Sequence, residues 1–169
     1  MTDHNHYGGD PGSLLSVNYP NAQLSDLVLT IENRRRLWNV VMEQRQWDKI
    51  TFHGLQPVRR LLFTGPPGTG KTSTAQALAG ELGVPLYTVR LDLLTTQPKD
   101  EGEAEFRQVL DTLMQTHGVF VFDGVAEFTE ENRWILVMLQ QFLMQDTSKS
   151  VIIVASNRPR LLDGVIFEQ

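Results

Sequence analysis

Gly65-Pro66-Pro67-Gly68-Thr69-Gly70-Lys71-Thr72 matches the spacing G-x-x-x-x-G-K-[ST] of a loop that wraps phosphates. Glycines let the backbone turn tightly, so several N–H groups converge on one concavity. A helix that starts at the end of such a loop aims its positive N-terminal dipole at the same point. Lys71 adds a charge for the outer phosphates, and the Thr72 hydroxyl suits a Mg2+ shell. Gly65, Pro66, Pro67, Gly68, Thr69, Gly70, Lys71, Thr72 and Thr74 are the expected phosphate-binding set. The ligand implied is a nucleoside triphosphate.

Outward from the loop, strands and helices alternate. Arg60-Leu61-Leu62-Phe63 reads as a short buried strand, and Lys71 to Leu82 as a helix stopped by Gly83. Leu86 to Leu91 predicts a strand, Glu103 to Gln115 a helix, and Val119-Phe120-Val121-Phe122 a strand ending in Asp123. Glu130 to Met144 predicts a helix with acids suited to its N-terminus, and Val151 to Ala155 a further strand. Continuous apolar strands between helices imply a parallel sheet covered on both faces. Ahead of them a helix is expected from a Thr30 cap to before Gly54, carrying Ile31, Leu37, Trp38, Val41, Met42 and Trp47. Its Arg34-Arg35-Arg36 run reads as a solvated face or as a partner or phosphate contact. Residues 1–25, rich in Gly, Pro, Asn, Asp and Ser, show no periodicity and are expected to be a flexible segment. His4 and His6 in that segment are too few to define a metal site.

The 169 residues suffice for one domain with a real core. The absence of cysteine excludes disulfides, thiolate catalysis and Cys zinc sites. A net charge of −5 argues against non-specific nucleic-acid or anionic-membrane binding. With neither a signal-peptide pattern nor a bilayer-length apolar run, the expected location is cytoplasmic.

Asp123 and Asn157 are the candidates for the rest of the site. An acid at the carboxyl end of a parallel strand faces the crevice where such folds bind ligands, and Mg2+ prefers hard oxygen donors. The alternative for Asp123 is simply the start of an Asp123-Gly124 turn. Asn157 stands at the end of the last strand, where its amide would orient water or a γ-phosphate; the alternative is a turn-former ahead of Pro159.

Taken in order, Gly65–Thr72, Val119–Asp123 and Val154–Pro159 resemble the core of AAA+ ATPases, specifically the AAA group proper, over the chain from about Asp26 onward. The phosphate loop has that group's Walker A form, and Ala155-Ser156-Asn157-Arg158-Pro159 is similar to its sensor 1 segment. The resemblance implies a three-layer P-loop fold occupying residues 26–169, with ATP and Mg2+ as ligands. Thr72 and Asp123 would organise the metal, directly or through water, and Asn157 would sense the γ-phosphate. Hydrolysis, a homo-oligomeric ring in the full-length protein and remodelling of an unknown protein substrate are the family's activities.

The sequence also departs from the family pattern. The glutamate that normally follows the Walker B aspartate is replaced by Gly124, leaving Glu127 as a displaced base or a surface acid. Glu168 and Gln169 stand where finger arginines are expected after Leu162-Asp163. Gln97-Pro98-Lys99-Asp100-Glu101 carries no pore-loop aromatic and reads as a surface turn. The family's fifth strand and helical lid have no counterpart before Gln169, which implies a fragment, a truncated product or a degenerate copy, monomeric as it stands. The functional expectation is an ATP-binding ATPase core with weakened hydrolysis. The alternatives are a nucleotide-binding pseudoenzyme acting as a switch or structural subunit, or a small P-loop kinase, for which no acceptor pocket or arginine-bearing lid is found.

Overall fold

The computed structural model describes residues 13–65, 68, 70–125 and 129–157. Among them, five strands form one sheet in the order β1-β3-β4-β5-β2. The strands are β1 (Leu15–Asn18), β2 (Arg60–Thr64), β3 (Leu86–Arg90), β4 (Val119–Val125) and β5 (Val151–Ser156). The helices are α1 (Ile31–Arg45), α2 (Trp47–Phe52), α3 (Lys71–Leu82), α4 (Lys99–Met114) and α5 (Arg133–Gln145). β2, β5, β4 and β3 run parallel, and β1 pairs antiparallel with β3 at the edge. This is the three-layer, mainly parallel α/β architecture that the alternating elements predict.

Period-two alternation in the central strands divides the core between the two faces. Phe120, Phe122, Ile152 and Val154 pack with Phe106, Leu110 and Leu113 of α4 and Ile135, Leu139 and Phe142 of α5. Val119, Val121, Val151, Ile153 and Ala155 pack with Leu37, Val40 and Val41 of α1 and Ala75, Leu78 and Ala79 of α3. All six residues of β5 are buried, and each large aliphatic side chain there contributes about 1.5–3 kcal/mol of burial. The alanines on α3 let its axis approach the sheet closely, which fixes the helix that leads away from the phosphate loop.

The strand that enters the loop is pinned at its other end. Arg59 Nη1 lies 2.6 Å from Asp146 Oδ2, and Arg59 Nη2 donates to the Asp146 carbonyl at 2.9 Å. Arg60 donates to the Leu143 carbonyl. The C-terminal end of α5 is thereby tied to the start of β2.

Three element boundaries differ from the sequence expectation. The first helix is two: Gln46 leaves helical geometry at φ −105°, ψ 26°. Beyond the break, Lys149 Nζ lies 5.7 Å from the Trp47 ring centroid and 3.7 Å from Asp48 Oδ1. α4 begins at Lys99, before the expected Glu103, while α5 is preceded by a 3-10 turn over Glu130–Asn132.

Residues 14–24, assigned by composition to a flexible segment, belong to the folded unit, so the expected boundary at 25/26 moves toward the N-terminus. Leu15 to Asn18 pair with Val89 to Leu86, and the Arg90 N–H donates to the Leu14 carbonyl at 2.9 Å. Leu14 and Leu24 are both buried, one against each face of the sheet. The physical reason is that the free edge of β3 offers hydrogen bonds that a short strand satisfies, with a buried leucine on either side as anchor. Residues 1–12, including His4 and His6, lie outside the described residues. Among the described residues no helix is long and apolar enough to cross a membrane.

Leu14→Ala tests this boundary. The substitution is expected to lower the unfolding free energy in urea by about 2–5 kcal/mol, the cost of emptying a buried leucine site; a flexible segment would give no change.

Candidate nucleotide-binding site

Because β2, β5, β4 and β3 are parallel neighbours, their carboxyl ends line one edge of the sheet. Thr64 pairs with Ser156, so the phosphate loop leaving β2 and the segment leaving β5 emerge side by side. Gly70 begins α3 at φ 87°, a left-handed conformation that an L side chain would strain. No side chain caps this helix, and its first turn carries no acid. A helix start of this kind favours negative charge near its N-terminus.

Lys71 turns back over the loop. Its ammonium donates to the Gly65 carbonyl at 2.6 Å and to Asn157 Oδ1 at 2.9 Å. The lysine expected to hold outer phosphates and the asparagine expected to sense them are thus in direct contact. The Thr72 side chain is exposed in the first turn of α3. Thr74 is half-buried, and its hydroxyl donates to the Gly70 carbonyl at 2.7 Å, bracing the turn from inside the helix. Gly68 is exposed beside these groups; Pro66, Pro67 and Thr69 lie outside the described residues.

Asp123 is half-buried near the end of β4, one strand from β5, and its Oδ1 accepts the Gly124 N–H at 2.8 Å. The Asp123-Gly124 pair is not the terminal turn that the simpler reading expects, because the strand continues to Val125. The pair forms a bulge instead: Phe122 pairs with Val154 while Val125 pairs with Ser156, leaving one extra residue on β4. Gly124 adopts φ 87°, and a Cβ there would lie 2.8 Å from Asp92 Oδ1, 2.9 Å from Asp92 N and 3.0 Å from Asp92 Cβ. Both the conformation and the space exclude a side chain without rearrangement.

Asp92, in the 3-10 turn Leu91–Thr96 after β3, is a site-edge residue that the sequence reading passes over. Arg90, the register partner of Asp123, holds it with Nη2 3.0 Å from Asp92 Oδ2. The pattern that flags Asp123, an acid just past an apolar strand, was available for Asp92 as well.

Gln97 to Glu101 lead into and begin α4 and are largely exposed, at the surface as the turn reading expects. Glu127 and residues 158–169, with Leu162-Asp163, Glu168 and Gln169, fall outside the described residues.

The donors around the edge suit Mg2+ with a triphosphate: the Thr72 hydroxyl and the Asp123 carboxylate are hard oxygen ligands. Among the described residues no group of three or more His, Cys, Asp and Glu side chains could hold a metal ion. A cation here would share its shell with phosphate and water oxygens, as Mg2+ ordinarily does.

Comparisons with known proteins identify the family. The profile of the ATPase family associated with various cellular activities (AAA) matches residues 61–168. An uncharacterized AAA family ATPase, y4kL of Sinorhizobium fredii, is 33% identical over 89% of this chain and 48% of its own length. ATP-dependent zinc metalloprotease FtsH 1 of Symbiobacterium thermophilum is 30% identical over 92% of this chain and 29% of its own. The ribosome biogenesis ATPase RIX7 of Saccharomyces cerevisiae is 35% identical over 67% of this chain and 15% of its own. The chain spans less than half the length of these relatives. The matched region begins inside β2 and runs through the phosphate loop, β4 and β5, the segments that meet at the carboxyl edge, and the chain belongs to the AAA family, of which it carries an ATP-binding ATPase core.

Proposed function

We propose that the chain binds Mg-ATP at the carboxyl edge of the sheet and hydrolyses it slowly, in service of macromolecular remodelling. The observation that carries this reading is the Lys71 ammonium set between the Gly65 carbonyl and Asn157 Oδ1, a cation held where the loop and β5 converge. In the proposed arrangement Gly65, Pro66, Pro67, Gly68, Thr69, Gly70, Lys71 and the first turn of α3 through Thr74 hold the phosphates. Thr72 and Asp123 hold Mg2+, directly or through water, and Asn157 contacts the γ-phosphate. When bound, Mg2+ neutralises phosphate charge; every other contribution comes from the chain.

Slow turnover is proposed because residue 124 carries no base, so that any carboxylate serving there acts from a displaced position. A positioned general base accounts for roughly 10²–10⁴-fold in rate, and residue 124 has neither a side chain nor room for one. Glu127, the displaced-base candidate of the sequence, lies outside the described residues. The remodelled partner, assembly into a ring and a cytoplasmic location also remain proposals. They rest on family membership and, for location, on the charge and lack of a membrane-spanning pattern in the sequence. The same Gly124 geometry favours a second reading, a nucleotide-binding switch without turnover.

Three measurements test these readings. Lys71→Ala removes charge-assisted hydrogen bonds that contribute about 1.5–3 kcal/mol, so Mg-ATP affinity is expected to fall at least about tenfold; unchanged affinity would mean the site is elsewhere. Asp123→Asn is expected to abolish the gain in ATP affinity that Mg2+ gives over EDTA, with EDTA affinity unchanged, as read by equilibrium dialysis. Gly124→Glu puts back the family's side chain, yet it is expected to destabilise the fold by about 1–3 kcal/mol through strain and overpacking, without faster phosphate release. A thermal melt and a phosphate-release assay on the same preparation check both halves, and accelerated turnover in a stable variant would overturn the account of residue 124.

A further inference from the structure

The space that a side chain at residue 124 would use is not solvent. Asp92 Oδ1 stands 2.8 Å from the point where a Cβ of residue 124 would be, and the Asp92 backbone N is 2.9 Å from it. A carboxylate therefore lies over the bare α-carbon, delivered from the adjacent strand end. Three features hold it there. The bulge at Asp123-Gly124 adds one residue to β4 relative to β5. Gly124 turns through φ 87°, which lets the neighbouring turn close onto it. Arg90, paired in register with Asp123, grips the other carboxylate oxygen with Nη2 3.0 Å from Asp92 Oδ2.

This carboxylate lies on the same carboxyl edge of the sheet as the proposed phosphate site. Parallel neighbours are about 4.7–4.9 Å apart, and β4 separates β3 from β5, whose end places Asn157 against Lys71. An acid leaning from the end of β3 over Gly124 has thus crossed most of the gap to β4. Its side chain is 48% exposed, which leaves it open to water.

We infer that Asp92 supplies, from the neighbouring strand end, the carboxylate that the Walker B position lacks. It accepts a hydrogen bond from the attacking water and takes its proton as the water oxygen bonds to the γ-phosphorus. The bond from that phosphorus to the β–γ bridging oxygen breaks, its electron pair leaves with ADP, and the proton on Asp92 passes to solvent. Gly124 is then the consequence of the displaced acid: the backbone has been cleared so that Asp92 can lie over it.

This inference rests on the Mg-ATP site proposed above, and the test separates the two. Asp92→Asn is nearly isosteric, and Asp92→Ala removes the group altogether; at a half-exposed turn position both are expected to keep the melting temperature of the parent. Mg-ATP affinity is measured by equilibrium dialysis, phosphate release at saturating Mg-ATP, and the bound nucleotide is identified after incubation. The expected result is affinity within about threefold of the parent, turnover lower by about 10²-fold or more, and retained ATP where the parent retains ADP. Turnover within threefold of the parent in either variant would overturn the role of Asp92 while leaving the binding site standing. So would a parallel fall in affinity and melting temperature, which marks a structural brace. A parent that binds Mg-ATP but releases no phosphate would also overturn it, whereas a parent that binds no Mg-ATP removes the underlying site.

Discussion

The parallel register of β2 against β5 governs everything placed at the functional edge. Leu61 opposite Ile153 and Thr64 opposite Ser156 bring the two strands to a common end. The loop after one and the asparagine after the other then have no choice but to meet. A shift of one residue would turn the buried set of β5 toward the opposite face, and all six of its residues are buried. Core packing on both faces thus enforces a register whose functional result is the contact from Lys71 to Asn157. The salt bridge from Arg59 to Asp146 fixes the other end of β2, so the strand is held at both termini of the segment that carries the loop.

With that edge fixed, binding and turnover separate physically. In the proposed site, phosphate binding draws on backbone N–H groups, a helix dipole and one ammonium, all assigned to the loop and the first turn of α3. None of these depends on residue 124. Hydrolysis needs a hydrogen-bond acceptor for water at a particular place, and that place is governed by β4 and its neighbours. In this chain the absence of an acid at residue 124 goes together with a bulge in β4. The backbone at Gly124 follows a path that only glycine follows without strain, and the turn after β3 closes against it. The conformation of Gly124 and the turn after β3 are therefore coupled through their close approach.

Much of this was legible in the sequence because the informative segments are long or strongly patterned. The strand–loop–helix around Gly65–Thr72 is marked by glycine spacing and a run of apolar residues, and α3 starts at Lys71 and ends at Leu82 as its sequence predicts. β4 and β5 are continuous apolar runs that have few alternatives to a buried strand. What was illegible depends on partners. β1 has four residues, too few for a period, and sits among turn-forming residues; only the unpaired edge of β3 makes it a strand. The break at Gln46 has no glycine or proline to announce it. The Asp123-Gly124 pair reads as a turn by composition, because a bulge is a property of two strands and is invisible in one. Asp92 shares the strand-then-acid pattern of Asp123, yet without the β3–β4 pairing nothing indicates that it leans over residue 124.

β1 bears on the site through the same pairing. β3 would otherwise be an edge strand with an unsatisfied row of backbone groups, and the turn that carries Asp92 follows directly from its end. Pairing Leu15–Asn18 along β3, together with the bond from the Arg90 N–H to the Leu14 carbonyl, fixes the backbone on the side away from β4. Arg90 is thereby held from two directions: its backbone N–H by the Leu14 carbonyl and its guanidinium by Asp92. The buried Leu91 and Leu94 anchor the turn itself in the same core cluster that takes Leu14. A segment that composition marks as a lead-in thus stiffens the strand end from which Asp92 leans over Gly124, and the N-terminal boundary of the domain becomes part of the geometry of the sheet's carboxyl edge.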